Sequence, residues 1–247
     1  MLTEKRQEQI LELVNQNGSV TVQELKDRFE ASESTIRRDL NALHNRGMLV
    51  KVFGGAVKAD STIQVKEERV EKRKEQNMEE KKKIAMYAAS LIEPEDFVYL
   101  DAGTTTGAMI PFLMEKNATY VTNAVSHALQ LAERDFRVVI IGGKMKAATE
   151  AIVGNEAYHN LQKFNFTKGF FGTNGVDLKA GFTTPDINEA LVKECAMKHA
   201  RVAYVLCDGD KFHKIAAVRF GEFEDAVVIT DRIVDKVFEN KENIKVV

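Results

Sequence analysis

Short apolar runs alternate with helical stretches beyond residue 83, and this alternation limits the possible folds more than any other feature. The run Phe97–Leu100 has the composition of a buried strand. Similar runs occupy residues 119–122, 137–141, 168–171, 202–206 and 226–229. Apolar residues at helical spacing separate several of them, as in residues 124–133 and 187–199. Strands that alternate with helices predict a mostly parallel sheet covered on both faces, so we expect an α/β domain over residues 84–247.

Residues 1–57 have a different pattern, that of three short helices followed by a β-hairpin. Thr21 is followed three residues later by Glu24, which is the signature of a capping box at the start of the second helix. Ser32 is a suitable cap for a third helix, and two apolar stretches around Gly54-Gly55 predict the hairpin. We therefore expect a small separate domain at the N-terminus.

Residues 58–83 are dense in charges of both signs and poor in apolar side chains, as in the run Glu79-Glu80-Lys81-Lys82-Lys83. A run of this kind usually forms a solvated surface. We therefore interpret residues 58–83 as a charged, partly helical connector that contains the boundary between the two domains.

Composition and charge restrict the class of protein. The formal net charge is -2, which argues against indiscriminate binding of nucleic acid but leaves room for a local basic patch. No apolar run approaches the roughly 20 residues that a membrane span needs, and the N-terminus lacks the apolar segment of a secretion signal. Cys195 and Cys207 are far apart and lack metal-ligand spacing. We expect a cytoplasmic protein with reduced cysteines, no membrane partner, no cofactor and no metal.

The third predicted helix carries groups on one face that can read DNA. Ile36, Leu40 and Leu43 would pack inward, so the opposite face is left to polar side chains. Arginine pairs bidentately with guanine, hydroxyl groups bond phosphates or base edges, and a cation on the hairpin can lie along neighbouring phosphates. The candidate DNA contacts are Ser32, Ser34, Thr35, Arg37, Arg38, Asn41 and Lys51. The pattern alone also allows a structural three-helix bundle with a solvated outer face.

Small and polar residues follow four of the predicted strands. The first strand runs into Asp101-Ala102-Gly103-Thr104-Thr105-Thr106 and then a predicted helix start, where backbone N–H groups and the helix dipole favour an anion. The other clusters are Thr122-Asn123, Gly142-Gly143 and Gly172-Thr173-Asn174-Gly175. Because ligands bind beyond the carboxyl ends of parallel strands, we expect the clusters to converge on one pocket, with Asp101 accepting hydrogen bonds from sugar hydroxyls. Taken alone, the threonine-rich turn is also compatible with a simple helix cap.

The N-terminal pattern resembles the helix-turn-helix and wing of the DeoR family of bacterial transcriptional regulators. The residues that carry this resemblance are Arg6, Ile10, Val14, Ser32, Thr35-Ile36-Arg37-Arg38-Asp39-Leu40, Arg46-Gly47, Leu49 and Gly54-Gly55-Ala56. The resemblance implies a winged helix-turn-helix over residues 1–57 that binds operator DNA. We expect the protein to bind its operator as a homo-oligomer, either a dimer or a tetramer.

Residues 83–232 resemble the effector domain of the same family, whose fold is similar to ribose-5-phosphate isomerase. The residues that carry this second resemblance are Asp101-Ala102-Gly103-Thr104-Thr105-Thr106, Thr122-Asn123, Gly142-Gly143, Gly172-Thr173-Asn174-Gly175, Gly181-Phe182-Thr183-Thr184, Glu189, Lys193, Asp208 and Lys211-Phe212. It implies that the threonine-rich loop holds the phosphate of a sugar phosphate, and that the sugar contacts Asp101, Asn123, Asn174, Glu189 and Lys211. The full set of predicted effector contacts is Asp101, Gly103, Thr104, Thr105, Thr106, Thr122, Asn123, Gly143, Asn174, Glu189 and Lys211.

Within the family, the segments 172–176 and 180–186, with Glu189-Ala190, are most similar to fructose-operon repressors, whose effector is fructose 1-phosphate. The resemblance thus implies a repressor of a sugar-utilisation operon that is controlled by this sugar phosphate and is not an enzyme. One alternative is a repressor that senses another sugar phosphate, and another is a sugar-binding protein without DNA. A third is an isomerase-like enzyme, in which Glu189, Asp208 and Lys211 would supply the acid–base groups. The isomerase's catalytic segment has no match in this sequence, and an isomerase has no need of a DNA-reading helix.

Overall fold

The computed structural model describes residues 3–17, 19–52, 54–58, 64 and 68–247. The chain divides into two compact units, Met1–Thr62 and Ile63–Val247. This division lies inside the stretch 58–83 that the sequence predicts as a connector. Residues 59–63 and 65–67 of that stretch lie outside the described residues.

Three helices and a small antiparallel sheet form the first unit. The helices are α1 (Thr3–Asn17), α2 (Val22–Phe29) and α3 (Glu33–Asn45), and the strands are β1 (Ser19–Thr21), β2 (Leu49–Val52) and β3 (Gly55–Lys58). The order across the sheet is β1-β3-β2, so the predicted hairpin gains a third strand that the sequence pattern did not indicate. The predicted capping box is confirmed, because the Glu24 N–H donates to Thr21 Oγ1 at 3.1 Å and the Thr21 N–H donates to Glu24 Oε2 at 2.7 Å.

A buried polar network joins α1 to α3. Asp39 is only 2% exposed, and its Oδ2 atom accepts a hydrogen bond from Arg6 Nε at 2.6 Å. Its Oδ1 atom accepts another from Gln7 Nε2 at 3.0 Å. Around this network, Ile10, Leu25 and Ile36 are fully buried in the apolar core of the unit. The helix pair is therefore held by both apolar packing and a charged contact.

A seven-stranded parallel sheet forms the centre of the second unit. The strands of this unit are β4 (Phe97–Leu100), β5 (Thr119–Thr122), β6 (Arg137–Ile140), β7 (Lys144–Lys146), β8 (Ala151–Val153), β9 (Phe166–Gly172), β10 (Gly175–Asp177), β11 (Gly181–Thr184), β12 (Ala200–Leu206), β13 (Val218–Gly221), β14 (Val227–Thr230) and β15 (Ile244–Val246). The large sheet has the order β15-β14-β12-β9-β4-β5-β6, and its neighbouring strands are parallel. The predicted parallel α/β fold is confirmed.

Helices and apolar clusters cover both faces of this sheet. The helices are α4 (Val70–Lys74), α5 (Met78–Ser90), α6 (Thr104–Gly107), α7 (Val125–Glu133), α8 (Asn155–Leu161) and α9 (Ile187–Lys198). Side chains of β4 alternate between the two clusters: Tyr99 packs into one, while Val98 and Leu100 pack into the other. The described residues include no helix of the length and apolar character that crossing a membrane requires.

The chain reverses its direction across the sheet at β4. From β4 it proceeds to β5 and β6 on one side, and it later returns with β9 to pair on the other side of β4. A crevice forms outside the carboxyl ends of the strands at such a switch point. Asp101 follows β4 and Thr173 follows β9, so this is the point at which two of the predicted polar clusters meet.

Candidate functional sites

The N-terminus of α3 carries a cluster of hydroxyl groups. Ser32 caps the helix, and its Oγ atom accepts a hydrogen bond from the Thr35 N–H at 3.3 Å. The same oxygen lies 3.0 Å from Ser34 Oγ and 2.9 Å from Thr35 Oγ1. Because helix N-termini favour anions, this cluster is suited to a phosphate of the DNA backbone.

The outer face of α3 presents the remaining predicted DNA contacts. Arg37 is exposed but forms an ion pair with Glu33 at 2.7 Å, one turn earlier. Arg38 is exposed and forms no hydrogen bond or ion pair with any other described residue. Lys51 Nζ on β2 donates to Asn41 Oδ1 at 2.7 Å, which connects the hairpin to the helix. Of these cations, Arg38 is the one most available to a new partner.

A buried ion pair holds the switch point of the second unit together. Lys193 on α9 donates to Asp101 Oδ2, and both residues are almost fully buried. The same carboxylate oxygen accepts a hydrogen bond from the Gly172 N–H at 3.1 Å, while Lys193 Nζ also donates to the Gly172 carbonyl oxygen at 3.0 Å. Asp101 therefore fixes β4, β9 and α9 relative to one another.

Two further predicted residues also have internal partners. Thr106 Oγ1 accepts a hydrogen bond from the Gly103 N–H at 3.0 Å and donates to the Asp101 carbonyl oxygen at 2.6 Å. Asn123 Oδ1 accepts one from the Ala102 N–H at 2.9 Å. These bonds shape the turn between β4 and α6, in which Thr104 is half-buried and Thr105 is buried.

A small polar cavity of about 40 Å³ opens at this turn. Its walls come from α4 and α5, the β4–α6 turn, the end of β9, α9 and the segment after β12. The residues that line it are Arg73, Gln76, Lys81, Ala102, Gly103, Thr104, Thr105, Gly172, Thr173, Asn174, Glu189, Lys193, Asp208 and Lys211. Four of these side chains are cationic and two are carboxylates. Lys193 is paired with Asp101, and the remaining lining cations, Arg73, Lys81 and Lys211, outnumber the lining carboxylates Glu189 and Asp208.

Lys81 stands out among the cavity residues because it is only 6% exposed. Burial lowers the pKa of its ammonium group to about 8, and the nearby charge of Asp208 partly opposes this change. Its Nζ atom donates to the Arg73 carbonyl oxygen. An anion in the cavity would favour the charged form of Lys81 and thereby raise its pKa.

A larger groove of about 550 Å³ adjoins the small cavity. The two share Lys81, Ala102, Gly103 and Thr104. Apart from these four shared residues, the groove is bounded by helices on both sides. Its remaining lining residues are Val70, Lys74, Met78, Glu79, Lys82, Gly107, Ala108, Pro111, Phe112, Ala124, Ser126, His127, Gln130 and Thr149.

The structure brings together only some of the predicted effector contacts. Those that line the small cavity are Gly103, Thr104, Thr105, Asn174, Glu189 and Lys211. Those that line neither opening are Asp101, Thr106, Thr122, Asn123 and Gly143. Thr122 Oγ1, for example, donates to the Leu100 carbonyl oxygen at 2.6 Å, and Gly143 lies against Ile152 and Ala157.

Sequence reasoning did not predict Arg73, Gln76, Lys81 and Lys193 as effector contacts. The first three lie in the charge-rich stretch that we interpreted as a solvated connector. A signal for Lys81 was present, because Ile84, Ala85 and Ala88 follow it at helical spacing and are fully buried on the same face of α5. Among the described residues, no group of three or more acidic, histidine or cysteine side chains could hold a metal ion.

Solved structures that resemble part of this chain have low identity to it. Ribose 5-phosphate isomerase A from Methanocaldococcus jannaschii aligns over 56% of each chain at 15% identity, with a TM-score of 0.42. The eIF2B delta subunit from Chaetomium thermophilum aligns over 62% of this chain and 56% of its own, at 13% identity and a TM-score of 0.46. No functional conclusion follows from likeness at this level.

Relatives of known sequence match nearly the whole chain. An HTH-type transcriptional regulator FruR of Bacillus subtilis is 43% identical over 100% of this chain and 98% of its own length. A lactose phosphotransferase system repressor of Staphylococcus aureus is 35% identical over 98% of both chains. The regulator GlpR of Haloferax volcanii is 34% identical over 95% of this chain and 92% of its own.

Two family models account for both units. The DeoR-like helix-turn-helix domain matches residues 6–62, and the DeoR C-terminal sensor domain matches residues 76–232. Together with the relatives that match nearly the whole chain, these matches favour a transcriptional regulator over the isomerase-like alternative. The chain belongs to the DeoR family of transcriptional regulators and is a DNA-binding protein, not an enzyme.

Proposed function

We propose that the protein represses a sugar-utilisation operon and that fructose 1-phosphate is its effector. The observation that carries the proposal is the small cavity, in which Arg73, Lys81 and Lys211 surround the threonine-rich turn. Support for a sugar operon comes from the names of the relatives, which include FruR and a lactose phosphotransferase system repressor. In this proposal residues 1–57 bind the operator and residues 84–247 sense the sugar phosphate.

The charges of the small cavity suit a phosphate monoester. Arg73, Lys81 and Lys211 outnumber Glu189 and Asp208 in the cavity, so its lining has a net positive charge that suits a phosphate dianion. Charge-assisted hydrogen bonds are the stronger kind. The first-turn N–H groups of α6 and the Thr105 hydroxyl add neutral donors. Glu189 is already engaged, because its Oε1 atom accepts hydrogen bonds from Thr149 at 2.6 Å and Lys146 at 3.2 Å. The resemblance assigns Asn174 and Lys211 to the sugar, but the size of this cavity favours contacts to the phosphate.

A screen of ligands tests the effector. A ligand that binds only the native state raises the unfolding temperature by mass action, so fructose 1-phosphate is expected to raise it more than fructose 6-phosphate, ribose 5-phosphate or unphosphorylated fructose. Replacing Thr105 by valine removes one hydroxyl at nearly constant volume. We expect this change to weaken fructose 1-phosphate binding by about tenfold or more. Equal responses of the wild type to phosphorylated and unphosphorylated fructose would contradict the proposal.

The seven predicted side chains of α3 and the hairpin are proposed as the operator contacts. Arg38 is expected to make the largest contribution, because it has no partner among the described residues, whereas Arg37 is paired with Glu33. Arg38→Ala should weaken operator binding by about tenfold or more, since one bidentate base contact contributes about 1–3 kcal/mol. An electrophoretic mobility-shift assay at a fixed salt concentration measures the affinity for operator DNA. An affinity equal to that of the wild type would remove Arg38 from the interface, and unchanged fructose 1-phosphate binding serves as the control.

The effector acts through the segment that follows the division between the two units. Gln64 donates its N–H to the Ile215 carbonyl oxygen at 2.8 Å and accepts the Ala217 N–H at 3.1 Å. These partners lie four to six residues after Lys211, which lines the small cavity. A ligand bound at Lys211 thus shifts the conformational equilibrium of the segment that leads to the DNA-binding unit. The coupling free energy between effector binding and operator binding is expected to be about 1–3 kcal/mol. In a homo-oligomer this changes the presentation of two recognition helices, which must lie about 34 Å apart to reach successive major grooves.

A further inference from the structure

The small cavity and the adjoining groove differ in size by more than tenfold. At about 40 Å³, the cavity holds a few water molecules, since one needs roughly 10–15 Å³ of such space. That is enough for a phosphate group and too little for a hexose. Among the described residues the groove of about 550 Å³ is the larger space beside it, and the two meet at Lys81, Gly103 and Thr104.

The groove contains a buried polar side chain whose hydrogen bonds are not satisfied. His127 on α7 is only 7% exposed, and its Nδ1 atom has no hydrogen-bond partner among the described residues. Burial lowers the pKa of its imidazole to about 4, and the charge of Lys74 acts in the same direction, so the ring is neutral at physiological pH. Leaving a buried polar atom unpaired is unfavourable, and such an atom in a native structure requires an explanation.

The position of this imidazole depends on a glycine. A Cβ atom at Gly107 would lie 2.6 Å from His127 Nε2, so the glycine gives the ring space beside the turn that holds Thr104. Gly107 and His127 both line the groove, together with the apolar side chains of Ala108, Pro111 and Phe112. Each ring nitrogen of a neutral imidazole is either a donor or an acceptor, and a hydroxyl group can pair with either kind, while the apolar wall matches the C–H surface of a sugar.

We propose that this groove holds the carbon skeleton of the phosphorylated ligand, with its phosphate at Lys81 and Thr104 and a sugar hydroxyl bonded to His127. The inference rests on the proposed function and makes His127 a specificity-determining residue. The groove is bounded by α4 and α5, the first described helices after the division between the units. A ligand seated there contacts Val70 or Lys74 of α4 directly.

His127→Phe tests the inference, because it keeps an aromatic ring of similar size and removes both ring nitrogens. Calorimetric titrations with fructose 1-phosphate and with inorganic phosphate compare the variant with the wild type. We expect fructose 1-phosphate to bind about tenfold more weakly and inorganic phosphate to bind unchanged. His159→Phe is the matched control, because His159 is exposed on α8 and is bonded to Gln162. Unchanged fructose 1-phosphate binding in His127→Phe would overturn the inference.

A measurement on the wild type provides an answer that does not depend on how the variant folds. In protein labelled with ¹⁵N-histidine, the ring nitrogens of His127 are expected to shift on addition of fructose 1-phosphate but not of inorganic phosphate. If fructose 1-phosphate binds and those signals do not move, the skeleton lies elsewhere while the proposed function stands. If the wild type binds neither compound, the proposed function fails and this inference fails with it.

Discussion

Asp39→Ala is expected to unfold the first unit while the second unit stays folded. The substitution leaves Arg6 without the buried carboxylate that it contacts at 2.6 Å, and Gln7 loses the acceptor at 3.0 Å. Breaking a buried ion pair by removing one partner costs about 3–5 kcal/mol. Whole domains are stable by only about 5–15 kcal/mol, and small ones lie near the lower end. The loss is therefore comparable to the total stability of a unit of this size.

The placement of the tyrosines allows the two units to be followed separately. All five tyrosines lie in the second unit, so tyrosine fluorescence reports on that unit, while circular dichroism reports on the helices of both. Asp39→Ala should lower the helical signal at temperatures where the tyrosine signal is unchanged, and operator binding should be lost. Glu33→Ala is the control on the same helix, because Glu33 and Arg37 form an exposed pair, which contributes little to stability. Equal unfolding of the two variants would show that the Asp39 network is not important for the fold.

The large sheet was predictable because its central strands are buried on both faces. Each of the six predicted strands is present, with ends that differ from the predicted ones by at most two residues, whereas the edge strand β15 was not predicted. A strand covered on both faces has a continuous apolar run, and Phe97–Leu100 is such a run. The small sheet β10-β11-β13 was not predicted, because its strands have three or four residues and include Gly175, Asp177 and Gly181. Its pairing depends on tertiary contacts, such as the Ala216 N–H donating to Thr183 Oγ1 at 2.8 Å.

The sequence predicted the crevice at which we propose the effector site, but it did not predict which of the polar residues there line a cavity. The carboxyl ends of β4 and β9 meet at the switch point, as ligand sites in parallel sheets do. The sequence could not distinguish polar residues that face a cavity from those that hold the turn together, because both kinds are small hydrogen-bonding side chains. Asn123 accepts a hydrogen bond from the Ala102 N–H, and Thr106 accepts one from the Gly103 N–H. Thr104 and Thr105, in contrast, line the cavity. Lys193 lies 92 residues from Asp101 in the sequence, and a partner at such a distance can be recognised only in the folded structure.

Lys193→Met is expected to destabilise the second unit by about 3–5 kcal/mol, because it leaves the Asp101 carboxylate buried without its cation. The hydrogen bond from the Gly172 N–H at 3.1 Å would remain, but it cannot replace a full charge. Methionine has nearly the volume of the lysine stem, so the loss is one of charge and hydrogen bonding more than of packing. Urea unfolding followed by tyrosine fluorescence measures the change, since Tyr99 is fully buried in β4, two residues before Asp101.

Two further variants separate the buried pair from a general effect on α9. Lys198→Met removes a lysine from the same helix, but Lys198 is largely exposed and its partner Glu194 is partly exposed, so we expect stability close to that of the wild type. The double variant Asp101→Asn/Lys193→Met removes both charges, and we expect it to be more stable than Lys193→Met because no uncompensated charge is buried. If the double variant were the less stable of the two, the carboxylate would be stabilising without lysine. In that case the backbone N–H of Gly172, and not the charge of Lys193, would hold β4 and β9 together at the site.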